Sequence, residues 1–289
     1  IVNSNTYNIG NKIMKKVLIT GCSGYIGSHL CKALDDKYDL WGLDKIEPQF
    51  PMKDGQFIQH DINHPFGEFP EEFDAVIHLA AKVRVNESQQ MPIQYYITNL
   101  NGTMNVLAKI KTKNFIFAST GVAEFCSDPY GTSKKAAEDC VIEYCMRHKV
   151  QPFTIFRFYN VVGSSGFAPT NPDGLMHNLL QAPERGEFTI FGNDYDTTDG
   201  TCVRDYIHVD EVCAGIELAI EEPAEEIESL GHGTGTSVEE MVNVFKEVNN
   251  IDFEVKYGDR RFGDLPVSVL KDKSRYMKSL YSIKELLKV

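Results

Sequence analysis

The chain has 289 residues, 42% hydrophobic and 24% charged, and its 29 Lys and Arg against 41 Asp and Glu give a net charge of −12. This composition excludes a disordered, collagen-like or disulfide-dense protein and predicts one large domain or two modest ones. The acidic balance argues against a general nucleic-acid or anionic-membrane binder, since both depend on Lys and Arg. Seven cysteines without a C-x-x-C pair indicate reduced thiols and no zinc site.

The first 13 residues are polar and rich in asparagine, and they lack the apolar stretch of a signal peptide. We expect residues 1–13 to be an extension with no role in the fold, and Met14 is the candidate natural start. No apolar run approaches the ~20 residues that a membrane helix needs. With the reduced cysteines, this predicts a cytoplasmic protein.

Short apolar runs alternate with helical patterns along the first half of the chain. Strands are predicted at 17–19, 57–59, 75–78, 114–118 and 153–158, and a further strand, the second in the chain, ends at 43–44. Helices are predicted at 25–34, 93–111 and 130–148. Such alternation is typical of βαβ units and predicts an α/β fold with a Rossmann-type doubly wound parallel sheet. Gly, Pro and Asn cluster over 163–174. We therefore expect a cofactor-binding domain over 14–162 and a smaller C-terminal α/β substrate lobe over 163–289, with some segments returning to the first domain.

A G-x-x-G-x-x-G motif formed by Gly21, Gly24 and Gly27 follows the first strand and opens a helix. Such glycines let a pyrophosphate approach the helix N-terminus, although a turn that only packs strand against helix is the alternative. Asp44 ends the second strand, where a carboxylate can bind the adenosine ribose and repel a 2′-phosphate. The motif therefore favours NAD over NADP. Asp61 could bind the adenine or be a solvated loop residue.

Tyr130 and Lys134 form a Tyr-x-x-x-Lys pair at the start of a predicted helix, where this spacing puts both side chains on one face. A nearby ammonium would lower the phenol pKa from ~10 toward neutrality, so that Tyr130 could act as general base on a substrate hydroxyl. Thr120 follows the fifth strand at the carboxyl edge of the sheet, where open α/β folds bind ligands. Its hydroxyl could bind the same substrate oxygen or simply stabilise a turn.

With these residues in this order, the sequence resembles the extended short-chain dehydrogenase/reductase family, and within it the nucleotide-sugar 4-epimerases. The most specific matching segments are 156–163, 190–195, 199–201, 203–209 and 261–266. The resemblance implies an NAD-dependent isomerase that interconverts UDP-galactose and UDP-glucose through a transient 4-keto sugar, and that could also take UDP-GalNAc and UDP-GlcNAc. It implies Tyr130 as the base, Lys134 as the nicotinamide-ribose ligand and Thr120 as an aid to proton transfer.

The resemblance also implies the binding residues. Further cofactor positions are Tyr25, Ile26, Ile62, Leu79, Ala80, Ala81, Asn99 and Tyr159, and the UDP-sugar positions are Thr120, Asn160, Leu175, Phe191, Arg204, Arg261, Asp264 and Ser268. Arginine suits a diphosphate because its guanidinium donates two parallel hydrogen bonds. The alternative for Arg204 and Arg261 is ion pairing with the neighbouring Asp205 and Asp264.

A homodimer is implied as well, because helices equivalent to 93–111 and 130–148 form a dimeric four-helix bundle in the family. The apolar positions Val141, Tyr144 and Cys145 fit that bundle. They fit packing on their own sheet equally well.

Three departures from the family pattern stand out. The segment between Thr120 and Tyr130 is short, which would open the entrance to the site. Val83 stands where bacterial epimerases carry a lysine near the cofactor phosphates, unless Lys82 or Arg84 reaches in. Ser268 stands where a large aromatic residue limits the sugar pocket, which leaves room for a 2-acetamido group.

Other functions of this superfamily remain open. Nucleotide-sugar 4,6-dehydratases place Asp-Glu after the active-site threonine, whereas Gly121 and Val122 stand here. Another nucleotide-sugar enzyme is possible, and so is a non-catalytic NAD-bound sensor, although sensors tend to lose the tyrosine or the lysine. We interpret His78 and His208 as structural, because neither lies in a metal-ligand pattern.

Overall fold

The computed structural model describes residues 14–67, 69, 72–148, 152–164, 166–261, 263–272, 274–277 and 281–289. The expected N-terminal extension, residues 1–13, lies outside them, as does Phe262 of the matching segment 261–266. The strands are β1 (Lys16–Thr20), β2 (Asp39–Asp44), β3 (Phe57–Gln59), β4 (Ala75–His78), β5 (Phe115–Thr120), β6 (Phe153–Phe158), β7 (Asn160–Val162), β8 (Glu187–Phe191), β9 (Val203–His208), β10 (Glu226–Leu230), β11 (Gly235–Ser237), β12 (Glu254–Gly258) and β13 (Val267–Ser268). The helices are α1 (Tyr25–Leu34), α2 (Val85–Gln90), α3 (Pro92–Tyr96), α4 (Gly102–Lys109), α5 (Pro129–His148), α6 (Leu175–Arg185), α7 (Val209–Glu221), α8 (Val238–Asn249) and α9 (Ile283–Leu286).

A seven-stranded parallel sheet in the order β10-β6-β5-β4-β1-β2-β3 forms the centre of the molecule. The chain winds outward from β1 in both directions, so the strand order reverses between β1 and β4. The predicted Rossmann-type doubly wound fold is therefore confirmed. Ligands of such sheets bind at this reversal, beyond the carboxyl ends of the strands.

Both faces of the sheet are covered by helices, which explains why its strands are apolar runs. On one face, α1 and α7 pack against inward side chains such as Val17 and Ile19. On the other face, α4 and α5 bury a second core that includes Phe117. Val141 and Cys145 of α5 belong to this second core and are 0% exposed. These two positions therefore pack on their own sheet.

The chain after β7 builds smaller sheets and then returns. Strand β9 pairs with β7, β11 and β13, and β8 pairs with β12, while α6 and α8 cover a third apolar core. Helix α7 and strand β10 also follow residue 162, yet β10 pairs with β6 and α7 packs against α1. These two elements complete the central sheet and its cover.

The helix predicted over 93–111 is interrupted. It begins at Pro92, contains a π-helical turn over Ile97–Asn101, and ends at Lys109. The turn contains Asn99, whose amide is bonded to the Lys82 backbone outside the helix. It is followed by Gly102, where a Cβ would lie 2.7 Å from the Ile62 side chain. Among all the helices of the described ranges, none is long and apolar enough to cross a membrane.

Candidate active site

A cavity of about 1080 Å³ opens at the carboxyl edge of the central sheet and continues between it and the smaller sheets. The glycines of the G-x-x-G-x-x-G motif, Thr120, Tyr130 and Lys134 line it from the central sheet and its helices, and Arg204 and Arg261 line it from the part of the chain that follows β7. The volume falls at the upper end of what small-ligand sites usually have.

In the glycine loop, backbone atoms of neighbouring residues occupy the space that a side chain on Gly21 or Gly27 would need. Gly21 has φ +77° and a Cβ on it would lie 2.7 Å from the Ala80 nitrogen, while a Cβ on Gly27 would lie 2.1 Å from the Gly21 oxygen. Helix α1 then starts at Tyr25, and the preceding Gly24 has no side chain to cap it. The first N–H groups of α1 are left to an anionic ligand, which fits the pyrophosphate of a dinucleotide.

Asp44, the predicted ribose-binding residue, ends β2 and lines the same cavity as the glycine loop. Its carboxylate accepts hydrogen bonds from the backbone N–H groups of Ser23 at 3.1 Å, Lys45 at 2.7 Å and Ile46 at 3.3 Å. Asp61 and Ile62 line the same end of the cavity. The side chain of Asp44 is thus fixed in the cavity wall, with a negative charge that opposes a 2′-phosphate.

Substituting Asp44→Asn should raise the Kd for NAD roughly 10-fold, because a hydrogen bond to a charged acceptor is replaced by one to a neutral acceptor. It should also reduce the preference for NAD over NADP, since the repelling charge is gone. Both constants are measured by titrating each cofactor into protein freed of bound nucleotide. Asp36→Asn, an exposed residue outside the cavity, is the control, and an unchanged NAD to NADP ratio in the Asp44 variant would contradict this role.

Thr120, Tyr130 and Lys134 come together as the sequence predicts. Thr120 ends β5 and is 8% exposed, and Lys134 is 3% exposed with its Nζ 4.1 Å from the centre of the Phe117 ring. The Tyr130 ring lies edge-on to that of Tyr95, at 6.3 Å between centroids. The three polar groups therefore face one cavity from a strand end and one helix, as a site for proton transfer requires.

The expected lowering of the Tyr130 pKa is not present in the structure. Burial raises the pKa of the Tyr130 phenol to about 12; a hydrogen bond with Thr120 opposes this shift, and the Asp128 carboxylate adds to it. Burial also lowers the pKa of the Lys134 ammonium to about 7, against a smaller opposing effect of Glu138. Burial, which disfavours the charged form of each group, is the largest cause of both shifts and explains why the phenol pKa is raised instead of lowered.

Asn99 is one predicted cofactor residue that does not line the cavity. It is 0% exposed, its Oδ1 accepts from the Lys82 N–H at 2.8 Å, and its Nδ2 donates to the Lys82 carbonyl at 3.0 Å and to the Ser133 hydroxyl at 2.9 Å. It joins the loop after β4 to helix α5. Asn99 thus supports the wall of the site from behind.

The cations near Val83 have partners of their own. Val83 is 45% exposed, Lys82 pairs with Glu87 at 3.0 Å, and the Arg84 Nε donates to Asp173 at 3.0 Å. Arg84 therefore ties the loop after β4 to the loop before α6.

On the side of the smaller sheets, two arginines of the cavity lining are held in different ways. Arg204 donates to the carbonyls of Val203 at 3.0 Å and Leu265 at 2.6 Å, and it lies 3.4 Å from the Asp264 carboxylate. Arg261 stacks on the Phe191 ring at 4.0 Å. Both guanidiniums line the cavity. Each has five N–H donors, more than these contacts use, so N–H groups of both can bind an anion.

Asp205 does not pair with either arginine. Its buried carboxylate accepts from the backbone N–H groups of His232, Gly233 and Leu270. Asn160, Leu175, Tyr159 and Ser268 join the two arginines in the cavity lining, as do Tyr25, Ile26, Leu79, Ala80 and Ala81 at the cofactor end. Apart from Asn99, every residue predicted for the site therefore lines this one cavity.

Both histidines have structural partners. His78 is bonded through Nδ1 to the Thr20 hydroxyl at 2.6 Å and through Nε2 to the Thr103 hydroxyl at 3.0 Å, and burial lowers its pKa to about 3. His208 caps α7 by accepting from the Asp210 N–H at 3.1 Å. Within the described part of the chain, no group of three or more His, Cys, Asp or Glu could hold a metal ion.

Residues 17–231 match the model of the NAD dependent epimerase/dehydratase family. The chain belongs to this family. The cofactor of the family is NAD, in agreement with the glycine loop and Asp44.

Known members of the epimerase family agree in sequence and in structure. The UDP-glucose 4-epimerase of Haemophilus influenzae is 33% identical over 296 residues, covering 86% of this chain and 87% of that protein. The structure of the Stenotrophomonas maltophila UDP-glucose-4-epimerase, with bound NAD and formylated UDP-arabinopyranose, has a TM-score of 0.82 at 26% identity and covers 94% of this chain and 96% of that one. The UDP-Glc/GlcNAc 4-epimerase of Campylobacter jejuni has a TM-score of 0.75 at 27% identity, covering 95% and 97%. The resemblance read from the sequence is therefore confirmed.

Sequence reasoning missed some residues of this epimerase-family site. Asp128 lines the cavity and caps α5, because its carboxylate accepts from the Gly131 N–H at 2.8 Å. An aspartate directly before Pro129 is a readable helix-start signal. Asp173 is tied to Arg84 and, through its carbonyl, to Arg261 at 3.2 Å, and no sequence pattern announces such a contact between distant loops.

Proposed function

We propose that this epimerase-family protein interconverts UDP-galactose and UDP-glucose at C4 of the sugar, through a transient 4-keto sugar. One observation carries the proposal. Thr120, Tyr130 and Lys134 line one cavity together with the glycine loop and the arginines Arg204 and Arg261. The sugar would then lie beside the proton-transfer groups while its diphosphate is held beyond them.

Some residues of the site transfer the proton, and others bind the diphosphate of the substrate. NAD, when bound, supplies an acceptor and later a donor of hydride for C4. Tyr130 removes the proton of the 4-hydroxyl and returns it at the end, with the Thr120 hydroxyl between phenol and sugar oxygen. Lys134 favours the ionised phenol when it carries its own proton. Arg204 and Arg261 bind the diphosphate while the 4-keto sugar rotates about its diphosphate linkage.

Substrate choice at C2 should depend on Ser268. Strand β13 pairs with β9 so that Ser268 lies opposite Arg204, and its small side chain lines the cavity. A pocket bounded by serine has space for a 2-acetamido group that a large aromatic residue would fill. We propose that the enzyme also takes UDP-GlcNAc and UDP-GalNAc.

Ser268→Tyr should abolish turnover of UDP-GalNAc while UDP-galactose keeps most of its kcat/KM, because the ring would occupy only the space of the acetamido group. Both substrates are assayed on the same preparation. Ser268→Ala is the control, since the alanine side chain is also small and leaves the pocket open. An equal loss on both sugars would refute this role of Ser268.

The first test of the proposed function is conversion of UDP-galactose to UDP-glucose by the purified protein without added NAD. Conversion would support a 4-epimerase that retains its cofactor and works with the short segment between Thr120 and Tyr130. Conversion only after NAD is added would indicate weak cofactor retention near Val83. No conversion with or without NAD would refute the proposal and favour another nucleotide sugar or an NAD-bound sensor.

We further propose a homodimer formed by the helical layer of α3, α4 and α5. Helices α3 and α4 pack against α5, and exposed apolar side chains lie on all three, namely Ile93 at 71%, Met104 at 41% and Met146 at 59%. Burial of such side chains is a common drive for association. The mass of the protein in solution, measured by light scattering, tests the dimer.

A further inference from the structure

Glu138 is a buried carboxylate directly behind the candidate active site. It lies on α5, is 0% exposed, and accepts from the Ser119 hydroxyl at 2.5 Å and from the Nε and Nη2 of Arg157 at 2.9 and 2.8 Å. Arg157 is itself only 15% exposed at the side chain. None of these contacts has so far been given a role in cofactor binding, substrate binding or proton transfer.

Each member of this Glu138–Ser119–Arg157 network is covalently close to a site residue. Ser119 directly precedes Thr120 at the end of β5, and Arg157 stands near the end of β6, shortly before Tyr159 and Asn160. Glu138 follows Lys134 by one turn of α5, and Tyr130 lies one turn earlier on the same face. One carboxylate therefore joins the three segments that carry the proton-transfer and binding groups.

The charge of Glu138 also acts on Lys134. Burial disfavours the charged lysine, and the Glu138 carboxylate one turn away opposes this effect. Glu138 and Arg157 form a buried ion pair at 2.8 Å. The attraction of such a pair only partly offsets the loss of hydration of both charges, so the pair is weak evidence for a stabilising role. Its location against three site-bearing segments is better explained by a need for fixed geometry.

We propose that Glu138, through Ser119 and Arg157, is a positioning residue that holds Thr120, Tyr130 and Lys134 in register for proton transfer. The inference rests on the proposed 4-epimerase function. Glu138 and Arg157 lie behind the cavity lining, and Ser119 lines the cavity next to Thr120. Loss of the Glu138–Ser119–Arg157 network should therefore lower kcat, while binding of the UDP moiety, and hence KM, changes little.

Ser119→Ala removes one hydrogen bond of the network and is the main test. Its kcat for UDP-galactose should fall roughly 10-fold, as expected for a small misplacement of catalytic groups, with KM within about 2-fold of the wild type. Glu138→Gln should lower kcat further and reduce the NAD that copurifies with the protein, because Lys134 loses its supporting charge.

Thr154→Val provides the matched control, because Thr154 is also 0% exposed, lies on β6, and donates one hydrogen bond, to the Ala224 carbonyl at 3.0 Å. The control should lose a similar amount of thermal stability as Ser119→Ala, measured as Tm, while its kcat and NAD content stay at the wild-type level. Equal kcat in the two variants at equal loss of Tm would overturn the inference.

Wild-type turnover in the same assay tests the proposed function separately. With an active wild type, the comparison of Ser119→Ala with Thr154→Val decides the positioning role alone. With an inactive wild type, the proposed function fails, and the NAD content then decides: unchanged NAD in Glu138→Gln overturns the inference, and a loss that Thr154→Val does not share supports it.

Discussion

Tyr130→Phe lowers kcat for UDP-galactose by a factor on the order of 10²–10⁴, the usual contribution of a positioned general acid–base group. The reason is chemical, since phenylalanine keeps the ring against Tyr95 and the buried position while it loses the one group that moves the proton. NAD content and Tm should stay close to the wild type. The measurement is steady-state turnover together with the absorbance of bound nucleotide.

Tyr144→Phe supplies the matched control, because Tyr144 lies on the same helix and stacks on His148 at 4.4 Å, outside the cavity. Its kcat should equal that of the wild type. A Tyr130 variant that keeps more than about a tenth of wild-type kcat would point to a different base.

Gly27→Ala should eliminate bound NAD and with it all turnover without added cofactor. A Cβ at this position would lie 2.1 Å from the Gly21 oxygen and 2.8 Å from the Cys22 Cα, both of them backbone atoms that cannot rotate away. The glycine loop must then separate from α1, at a cost of about 3 kcal/mol or more in unfolding free energy, the upper end of what overpacking usually costs. Denaturant unfolding and the nucleotide content of the purified protein measure the two effects.

Gly67→Ala is a suitable comparison, since no heavy atom lies within 4 Å of a Cβ placed there. It should keep both NAD and stability. Retained NAD in the Gly27 variant would mean that the close packing between Gly27 and Gly21 is not needed for cofactor binding.

The strands and the outline of the site could be predicted because their signals are local. An apolar run that stops at a glycine or an aspartate marks a buried parallel strand, and α1, β3, β4 and β6 begin and end where the sequence predicts. The strand ends then place Gly21, Asp44 and Thr120 at one edge by topology alone. Arg204 and Arg261 required the family resemblance, because nothing in their spacing sets them apart from surface charges.

Other features depend on burial that the sequence does not reveal. The Tyr-x-x-x-Lys spacing predicts two neighbouring side chains, but desolvation raises the pKa of Tyr130 and lowers that of Lys134. Asn99 is buried in a π-helical turn within the predicted helix, with its amide bonded to the Lys82 backbone, and no periodicity of the sequence shows this turn. Glu138 reads as one more polar residue of α5 until its partners on β5 and β6 are seen.

The return of α7 and β10 to the central sheet bears on how the protein could be divided. A break in the chain between β7 and α6 would leave two pieces, and the second would still carry the strand that pairs with β6 over Glu226–Leu230. The C-terminal piece alone would expose the edge of that strand and the apolar side of α7. The two pieces are thus suited to reassembling as a split enzyme, whereas neither is suited to existing as an independent module.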